Sequence, residues 1–213
     1  MGKPNSETIA IKGDKMAEKI FAEAINEAIA EEMRRDQNVF IMGEDIRLSV
    51  YGATANLYNE FGDERVLDTP LSENGFFGAA IGASLVGMRP IVETVTSFMW
   101  VAMDQLISQA AKMRYMFGGQ ATLPVVYRAS MMYGSGSAAH HSDRPYPMFM
   151  NMPGIKIAVP ANPSDAKGLL KTAVRDDDPV IIFEDANLYG TRGEVVEEEI
   201  PFGKAQIVKE GTD

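Results

Sequence analysis

The chain has 213 residues, 46% of them hydrophobic, which is enough to bury the core of one to one and a half domains. Its formal net charge of −10 argues against a surface that binds nucleic acid or an anionic membrane. No cysteine is present, which excludes disulfides and a thiolate nucleophile. No apolar run reaches membrane-spanning length and no signal-peptide core begins the chain, so we expect a cytoplasmic protein.

The first elements in chain order are a flexible extension, a helix and a strand. Residues 1–15 are polar and lack periodicity, which is typical of a flexible extension. Apolar residues recur at three- and four-residue spacing from Met16 to Arg35 and predict an amphipathic helix. Residues 38–42 predict a short strand that ends just before Glu44 and Asp45. These two acids are candidates for a functional sheet edge, and a solvated turn explains them equally well.

The stretch D-T-P-L-S-E-N-G at residues 68–75 is the centre of the pattern. It joins an apolar strand to a run of small residues that predicts a tightly packed helix. Glu73 falls in the first turn of that helix, with Ser72 as the predicted cap. Reactive groups gather at the carboxyl ends of strands in open α/β sheets, so Glu73 is a candidate functional residue. The alternative is that Glu73 only complements the helix dipole.

Strands and helices alternate through the rest of the chain. Further apolar strands are predicted at residues 89–95, 123–127, 155–159 and 179–183. A long helix should follow the first of these and end at Gly118-Gly119, and Asn162-Pro163 should begin another that runs to about Val174. Apolar strands that alternate with helices predict an α/β fold with a mostly parallel sheet and helices on both faces.

The domain boundaries follow from composition. The α/β domain should cover residues 16–190. Residues 191–213 are acidic and polar, and we interpret them as a linker and the start of a C-terminal domain.

Common catalytic motifs are missing from the sequence. It has no Walker loop, no dinucleotide-binding glycine motif, no nucleophile elbow and no cysteine or histidine cluster for zinc. Its two histidines, His140 and His141, are neighbours in a glycine- and serine-rich loop at residues 134–143. They are either a mobile acid–base pair or a solvated loop pair. The residue pattern alone does not identify a reaction.

A series of short blocks adds a family resemblance. The blocks are G-E-D at 43–45, D-T-P-L-S-E at 68–73, G-M-R-P at 87–90, D-Q at 104–105, A-A-K at 110–112, Met116 with G-G at 118–119, P-G-I-K at 153–156, D-A-K-G-L at 165–169 and D-P at 178–179. In this order they resemble the pyrimidine-binding domain of the beta subunit of thiamine-diphosphate-dependent 2-oxo acid dehydrogenases. The pyruvate, branched-chain and acetoin branches belong to that family.

The resemblance implies a role for four residues. Glu73 would bond the ring nitrogen of the aminopyrimidine of thiamine diphosphate and exchange a proton with it. Glu44 would lie near cofactor and substrate, and Phe98 would pack against the pyrimidine ring. His141 would assist acyl transfer to a lipoyl group. The implied activity is oxidative decarboxylation of a 2-oxo acid, or cleavage of acetoin, with the cofactor as electron sink.

The resemblance also implies partners and metals. The chain lacks the G-D-G-x-n-N motif, so an alpha subunit would hold the diphosphate and magnesium, and this chain would supply half a site. An α2β2 heterotetramer and a lipoyl acyltransferase core are the expected partners, with no nucleic acid or membrane. In a eukaryote the location would be the mitochondrial matrix. Ala173, Asp176 and Asp178 match a structural potassium site found in some members.

The sequence departs from the family pattern in two places. Many relatives read Q-H-S-Q where this chain has H-H-S-D at residues 140–143, so the substrate stays open. The segment between Glu93 and Asp104 is one residue shorter, which weakens the match of Phe98. One alternative is half of a split transketolase or deoxyxylulose-phosphate synthase, although the block P-L-S-E-N at 70–74 differs from theirs. A non-catalytic assembly domain of the same fold is another.

Overall fold

A parallel sheet lies at the centre of the protein. The computed structural model describes residues 17–204, 207 and 209–212, so the extension predicted at 1–15 lies outside the described residues. The strands are Ala17–Ile20 (β1), Val39–Gly43 (β2), Val66–Asp68 (β3), Arg89–Val95 (β4), Val126–Met131 (β5), Lys156–Ala158 (β6), Val180–Asp185 (β7) and Arg192–Val195 (β8). The α-helices are Phe21–Arg35 (α1), Leu57–Phe61 (α2), Glu73–Leu85 (α3), Ala111–Met116 (α4), Tyr146–Phe149 (α5) and Pro163–Arg175 (α6).

Six strands form one sheet in the order β3-β2-β4-β5-β7-β6, and every neighbouring pair is parallel. Both β2 and β5 are buried along their whole length. Strands buried on both faces need helices on both sides, which is why their sequences are continuous apolar runs. The predicted fold class is confirmed. No helix in the described residues is long and apolar enough to cross a membrane.

The sheet separates two hydrophobic cores. Neighbouring residues of β4 point to opposite faces, so Ile91 belongs to one core and Val92 to the other. The first core is filled mainly by α1 and α6, and the second by α3 and the segment after β4. Each large apolar side chain buried in them contributes about 1.5–3 kcal/mol to folding.

The first residues of α1 differ from the prediction. Residues 17–20 are not helical but form β1, which pairs antiparallel with β8. The helix begins at Phe21, and the Glu23 carboxylate accepts a hydrogen bond from the Ile20 amide at 3.1 Å. The pairing joins Ala17 to Val195, in the stretch that we interpreted as a linker. A partner so distant in sequence leaves no trace in the local periodicity.

The segment after β4 also differs from the prediction of one long helix. Thr96–Trp100 is a 3-10 turn, Asp104–Ala110 is a π-helix, and only α4 is α-helical. Gly119 follows α4 in a left-handed conformation and donates to the Arg114 carbonyl at 2.8 Å, the expected way to end a helix.

The strand predicted at residues 123–127 starts later than expected, at Val126. Pro124 lies just before it and has no amide hydrogen to donate to a strand ladder. Asn162 caps α6 as predicted, because its side-chain oxygen accepts from the Asp165 amide at 2.8 Å.

Candidate active site

The residues predicted for the site follow four neighbouring strands. Glu44 comes directly after β2, and Glu73 follows β3 at the start of α3. Phe98 lies in the 3-10 turn after β4, and His141 lies in the loop after β5. Because β3, β2, β4 and β5 are adjacent and parallel, their carboxyl ends form one edge of the sheet. The topology therefore places all four residues along that edge, where α/β proteins bind ligands.

Glu73 is held in a tightly bonded loop. It is the first residue of α3 and only 9% exposed. Ser72 is the N-cap residue as predicted, but its hydroxyl makes no capping bond, and its main-chain oxygen accepts from the Phe76 amide at 3.0 Å. The Thr69 amide donates to the Gly43 carbonyl at 2.9 Å and ties the loop to β2. The backbone that carries the Glu73 carboxylate is therefore fixed.

Glu44 is close to Glu73 and carries a perturbed pKa. Burial, then the negative charges of Glu73 and Asp45, raise the pKa of Glu44 to about 6, and a hydrogen bond from the Ser72 amide partly offsets the increase. Its backbone position depends on Gly43, where a Cβ atom would lie 2.5 Å from a main-chain oxygen of β4. Only glycine permits this approach of β2 to β4.

Several polar atoms around this acid pair have no partner within the protein. Among the described residues, the buried side-chain atoms without a hydrogen bond are Glu44 Oε1, Thr69 Oγ1, Gln105 Oε1 and the Tyr127 hydroxyl. The first two lie on the acid pair and its loop, and the Gln105 amide contacts Asn74, next to Glu73. Buried polar groups are normally bonded, so the first three atoms fit a polar heterocycle such as the aminopyrimidine that the resemblance implies, whereas Tyr127 lies near the start of β5, away from the carboxyl edge.

Tyr51 adds a residue that sequence reasoning missed. Burial, followed by the charges of Glu93, Asp45 and Glu44, raises the pKa of its phenol. Tyr51 therefore lies near the carboxylates of Glu44, Asp45 and Glu93. It comes from the irregular loop between β2 and α2, whose sequence has no pattern that marks a site residue.

A second missed feature is a buried charge cluster between the central strands. Arg128 is fully buried and donates to Glu93 at 2.5 Å and to both oxygens of Glu184 at 2.7 and 2.8 Å. Tyr189 donates to Glu184 at 2.8 Å. Burial raises the pKa of Glu93, with Arg128 opposing it. The available signal was a charged residue next to the apolar residues in each of three strands: Glu93, Arg128 and Glu184.

The histidine loop brings His141 against Phe98. The two half-buried rings meet edge to face, with centroids 5.2 Å apart. His141 Nδ1 lies 2.9 Å from the Ser137 carbonyl, and that oxygen can only accept, so Nδ1 carries the hydrogen. Ala138 has φ +63° and ψ −179°, a conformation that normally requires glycine. His140 is exposed and takes no part in this contact.

The residues matched to a potassium site lie at the opposite edge of the sheet, before β7. Arg89 donates to the Asp176 carbonyl at 2.8 Å, and Lys156 contacts the Asp176 and Asp178 carboxylates at 2.7 and 3.2 Å. The Ala173 carbonyl accepts from the Asp176 amide at 3.2 Å. Cationic side chains therefore already fill these positions, which does not fit a bound potassium ion.

The described part of the chain contains no group of three or more histidine, cysteine or acidic residues placed to hold a metal ion. A cavity of about 620 Å³ beside Lys156 and Asp178 lies between α4 and the start of β6, away from the acid pair.

Comparison with known proteins gives a family and a set of relatives. A family model described as the transketolase pyrimidine-binding domain matches residues 18–191. The beta subunit of acetoin:2,6-dichlorophenolindophenol oxidoreductase from Cupriavidus necator is 51% identical, over 89% of this chain and 60% of the relative. The beta subunit of 2-oxoisovalerate dehydrogenase from Bacillus subtilis is 47% identical, over 91% and 61%. The pyruvate dehydrogenase E1 beta subunit from Rickettsia bellii is 45% identical, over 89% and 60%.

The chain thus spans about 60% of the length of these curated relatives. Among solved structures, a split-gene transketolase described as an inactive beta4 tetramer superimposes with a TM-score of 0.72 at 24% identity, covering 91% of this chain and 60% of that one. Transketolase from Leishmania mexicana gives a TM-score of 0.65 at 15% identity, over 88% and 27%. At these identities the structural matches establish the fold.

Proposed function

This chain belongs to the transketolase pyrimidine-binding domain family, and from that membership we propose that it is the beta subunit of a thiamine-diphosphate-dependent dehydrogenase acting on a 2-oxo acid or acetoin. The reaction is oxidative cleavage next to a carbonyl with acyl transfer to a lipoyl group. The observation that carries the proposal is the Glu44–Glu73 pair, surrounded by unpartnered polar atoms at the carboxyl edge of the sheet. The beta-subunit relatives at 45–51% identity support the same class.

The proposed role of Glu73 is proton exchange with the ring nitrogen of the aminopyrimidine. Thiamine diphosphate, when bound, supplies an electron sink for the electrons released when the bond next to a carbonyl breaks. Glu73 is buried and fixed at the start of α3, so its carboxyl group reaches the ring without first ordering a loop. Glu44, with a pKa of about 6, can hold a proton under mildly acidic to neutral conditions and so limits the negative charge beside the ring.

Phe98 and His141 are proposed to form the substrate end. The Phe98 ring offers an apolar surface for the pyrimidine, and the His141 ring packs against it in a T-shaped arrangement. Since Nδ1 of His141 donates to Ser137, Nε2 of the neutral ring is free to accept a proton from a substrate oxygen and to return it. This assignment follows the family resemblance and is tested by the experiments below.

An alpha subunit is the proposed partner that holds the diphosphate and magnesium, in an α2β2 heterotetramer docked to a lipoyl acyltransferase core. Support comes from apolar side chains left exposed: Leu71, two residues before Glu73, is 86% exposed, Val86 is 80% and Tyr115 is 90%. An apolar residue this exposed beside a polar site favours cover by another subunit. A cytoplasmic location, or the mitochondrial matrix in a eukaryote, belongs to the same proposal.

A potassium ion at Ala173, Asp176 and Asp178 would have to displace Lys156 and Arg89, which occupy the matched positions. Comparing the Tm in potassium chloride with the Tm in choline chloride of equal concentration tests it. A higher Tm in potassium chloride than in choline chloride would indicate that potassium binds there despite these contacts.

The experiment that tests the function uses the full-length protein assembled with its alpha partner. Acetoin, pyruvate and branched-chain 2-oxo acids are supplied with thiamine diphosphate and an electron acceptor, and we expect turnover of one class. Turnover of sugar phosphates instead would support a split transketolase, and failure with every substrate would support a non-catalytic assembly domain. Tight binding of thiamine diphosphate to this chain without a partner would contradict the half-site.

A further inference from the structure

The 3-10 turn after β4 contacts the histidine loop at several points, and most of them converge on one residue. The Thr96 hydroxyl donates to the Asp143 carbonyl at 3.2 Å, and the Asp143 amide donates to the Ser97 hydroxyl at 3.4 Å. The indole N–H of Trp100 donates to the Asp143 carboxylate at 3.1 Å. Asp143 lies two residues after His141, so these bonds fix the loop next to the histidine.

Trp100 is well placed to act as the anchor of this contact. Its ring stacks on Phe149 with centroids 6.2 Å apart and an interplanar angle of 13°, and Phe149 is fully buried in the second core. The indole is 38% exposed, so one side is packed and its N–H edge faces the loop. A hydrogen bond to a carboxylate is stronger than one between neutral groups, which suits a contact at a half-open surface.

The loop needs such an anchor because its own backbone is strained. Ala138 adopts a conformation that costs roughly 1–3 kcal/mol for a residue with a side chain, and such conformations persist only where surrounding contacts enforce them. On one side of His141 the loop is closed by the Ser137 carbonyl and the Ser142 hydroxyl, which donates to the Ala138 carbonyl at 2.8 Å. On the other side the contacts come from the turn that carries Phe98 and Trp100.

We propose that Trp100 is a positioning residue that acts through the Asp143 carboxylate to hold the His141 ring against Phe98. Removal of the indole N–H breaks the bond to the Asp143 carboxylate and leaves the main-chain bonds of Asp143 with Thr96 and Ser97, so the end of the loop gains freedom and the His141 ring samples other orientations. The consequence for turnover rests on the proposed function, whereas the contact and its effect on His141 do not.

The contact is tested first without any substrate. Trp100 is the sole tryptophan, so the protein has one indole N–H resonance and one source of tryptophan fluorescence. Asp143→Leu should shift that resonance and speed its exchange with solvent by about tenfold, while Asp143→Asn keeps an oxygen acceptor and should stay near wild type. Met150→Ala, which removes an exposed side chain just after α5, is the control.

The effect on the histidine is read from its ring resonances, assigned with a His140→Gln variant. Trp100→Phe keeps the stacking on Phe149 but removes the hydrogen-bond donor. It should shift the ring resonances of His141, because the ring current of Phe98 then acts on His141 from a different position. Unchanged His141 signals in a folded Trp100→Phe protein would overturn the proposal, whether or not the enzyme turns over any substrate.

The effect on turnover is measured on the assembled enzyme with the substrate identified above. Trp100→Phe should lower kcat about tenfold and change KM for the 2-oxo acid or acetoin less than about twofold, because one charge-assisted hydrogen bond positions the histidine. In a His141→Ala background the same substitution should have no further effect. An equal loss in both backgrounds would indicate a general structural role and refute the positioning role. An inactive wild-type enzyme would count against the proposed function. The role of Trp100 would then be judged from the NMR signals of its indole N–H and of the His141 ring alone.

Discussion

Glu44 and Glu73 begin from different strands yet meet at one edge of the sheet, where burial and then the charge of Glu73 raise the pKa of Glu44 to about 6. With a pKa of about 6, Glu44 holds a proton below that pH and releases it above it. A proton held beside Glu73 is what exchange with a ring nitrogen requires. The pair therefore links the fold, through the parallel neighbours β2 and β3, to the proposed chemistry.

The raised pKa of Glu44 predicts a specific pH dependence of stability. The folded state binds the proton more tightly than the unfolded chain, so the free energy of unfolding should fall as pH rises from 4.5 to about 6 and then level off. We expect a decrease of about 1 kcal/mol once solvent screening is allowed for. Urea unfolding of Glu44→Gln should lack this decrease, and Glu64→Gln, an exposed carboxylate, is the control. Parallel wild-type and Glu44→Gln curves would contradict the assignment.

Glu73→Gln should abolish proton exchange while preserving the fold. The neutral amide cannot pass a proton to the ring nitrogen, so hydrogen–deuterium exchange at the thiazolium carbon of bound thiamine diphosphate should slow by at least about a hundredfold. The Tm should remain near that of wild type. The measurement is made by NMR after acid quench of the assembled enzyme, with Glu64→Gln beside it. Exchange at the wild-type rate in Glu73→Gln would remove this residue from the proposed chemistry.

The buried charge cluster should be sensitive to loss of its cation. Arg128→Leu leaves the buried carboxylates of Glu93 and Glu184 without a cation, so urea unfolding should show a loss of roughly 3–5 kcal/mol. Arg34→Leu, which breaks the exposed pair with Glu60, should cost less than about 1 kcal/mol. Replacing all three buried charges with apolar residues should recover much of the loss. Similar effects of Arg128→Leu and Arg34→Leu would show that the cluster is well hydrated.

Ala138→Gly should stabilise the protein. Glycine adopts φ +63° and ψ −179° without a steric penalty, and relief of this strain should outweigh the added freedom of the unfolded chain by about 1 kcal/mol. Ala139→Gly, in the following 3-10 turn, should instead destabilise by up to about 1 kcal/mol. A thermal melt of both variants checks the prediction. A lower Tm for Ala138→Gly would show that the loop is not strained at this residue.

The sequence was informative wherever local composition reflects burial. Continuous apolar strands predicted the parallel sheet because both faces of such strands are covered, and acids directly after them marked the edge where Glu44 and Glu73 lie. The glycines after α4 and the cap of α6 were equally local signals.

Features that depend on distant partners were not predictable in this way. Trp100 and Asp143 lie 43 positions apart, and Arg128 and Glu184 lie 56 apart, so no local window contains both members of either pair. The π-helix at residues 104–110 was not predicted for another reason. Its apolar spacing is also that of an α-helix, so the pattern does not distinguish the two, and the segment packs against α3.

The antiparallel pairing of β1 with β8 has a practical consequence for engineering. Residues 17 and 195 are opposite one another, and the chain then continues along α6, where the Ile200 amide donates to the Gly168 carbonyl at 3.2 Å. A segment grafted into a surface loop of a host protein should therefore extend to Phe202, which packs against the first core. A fusion tag attached just before residue 17 would lie beside residue 195, so it would crowd the residues that follow β8.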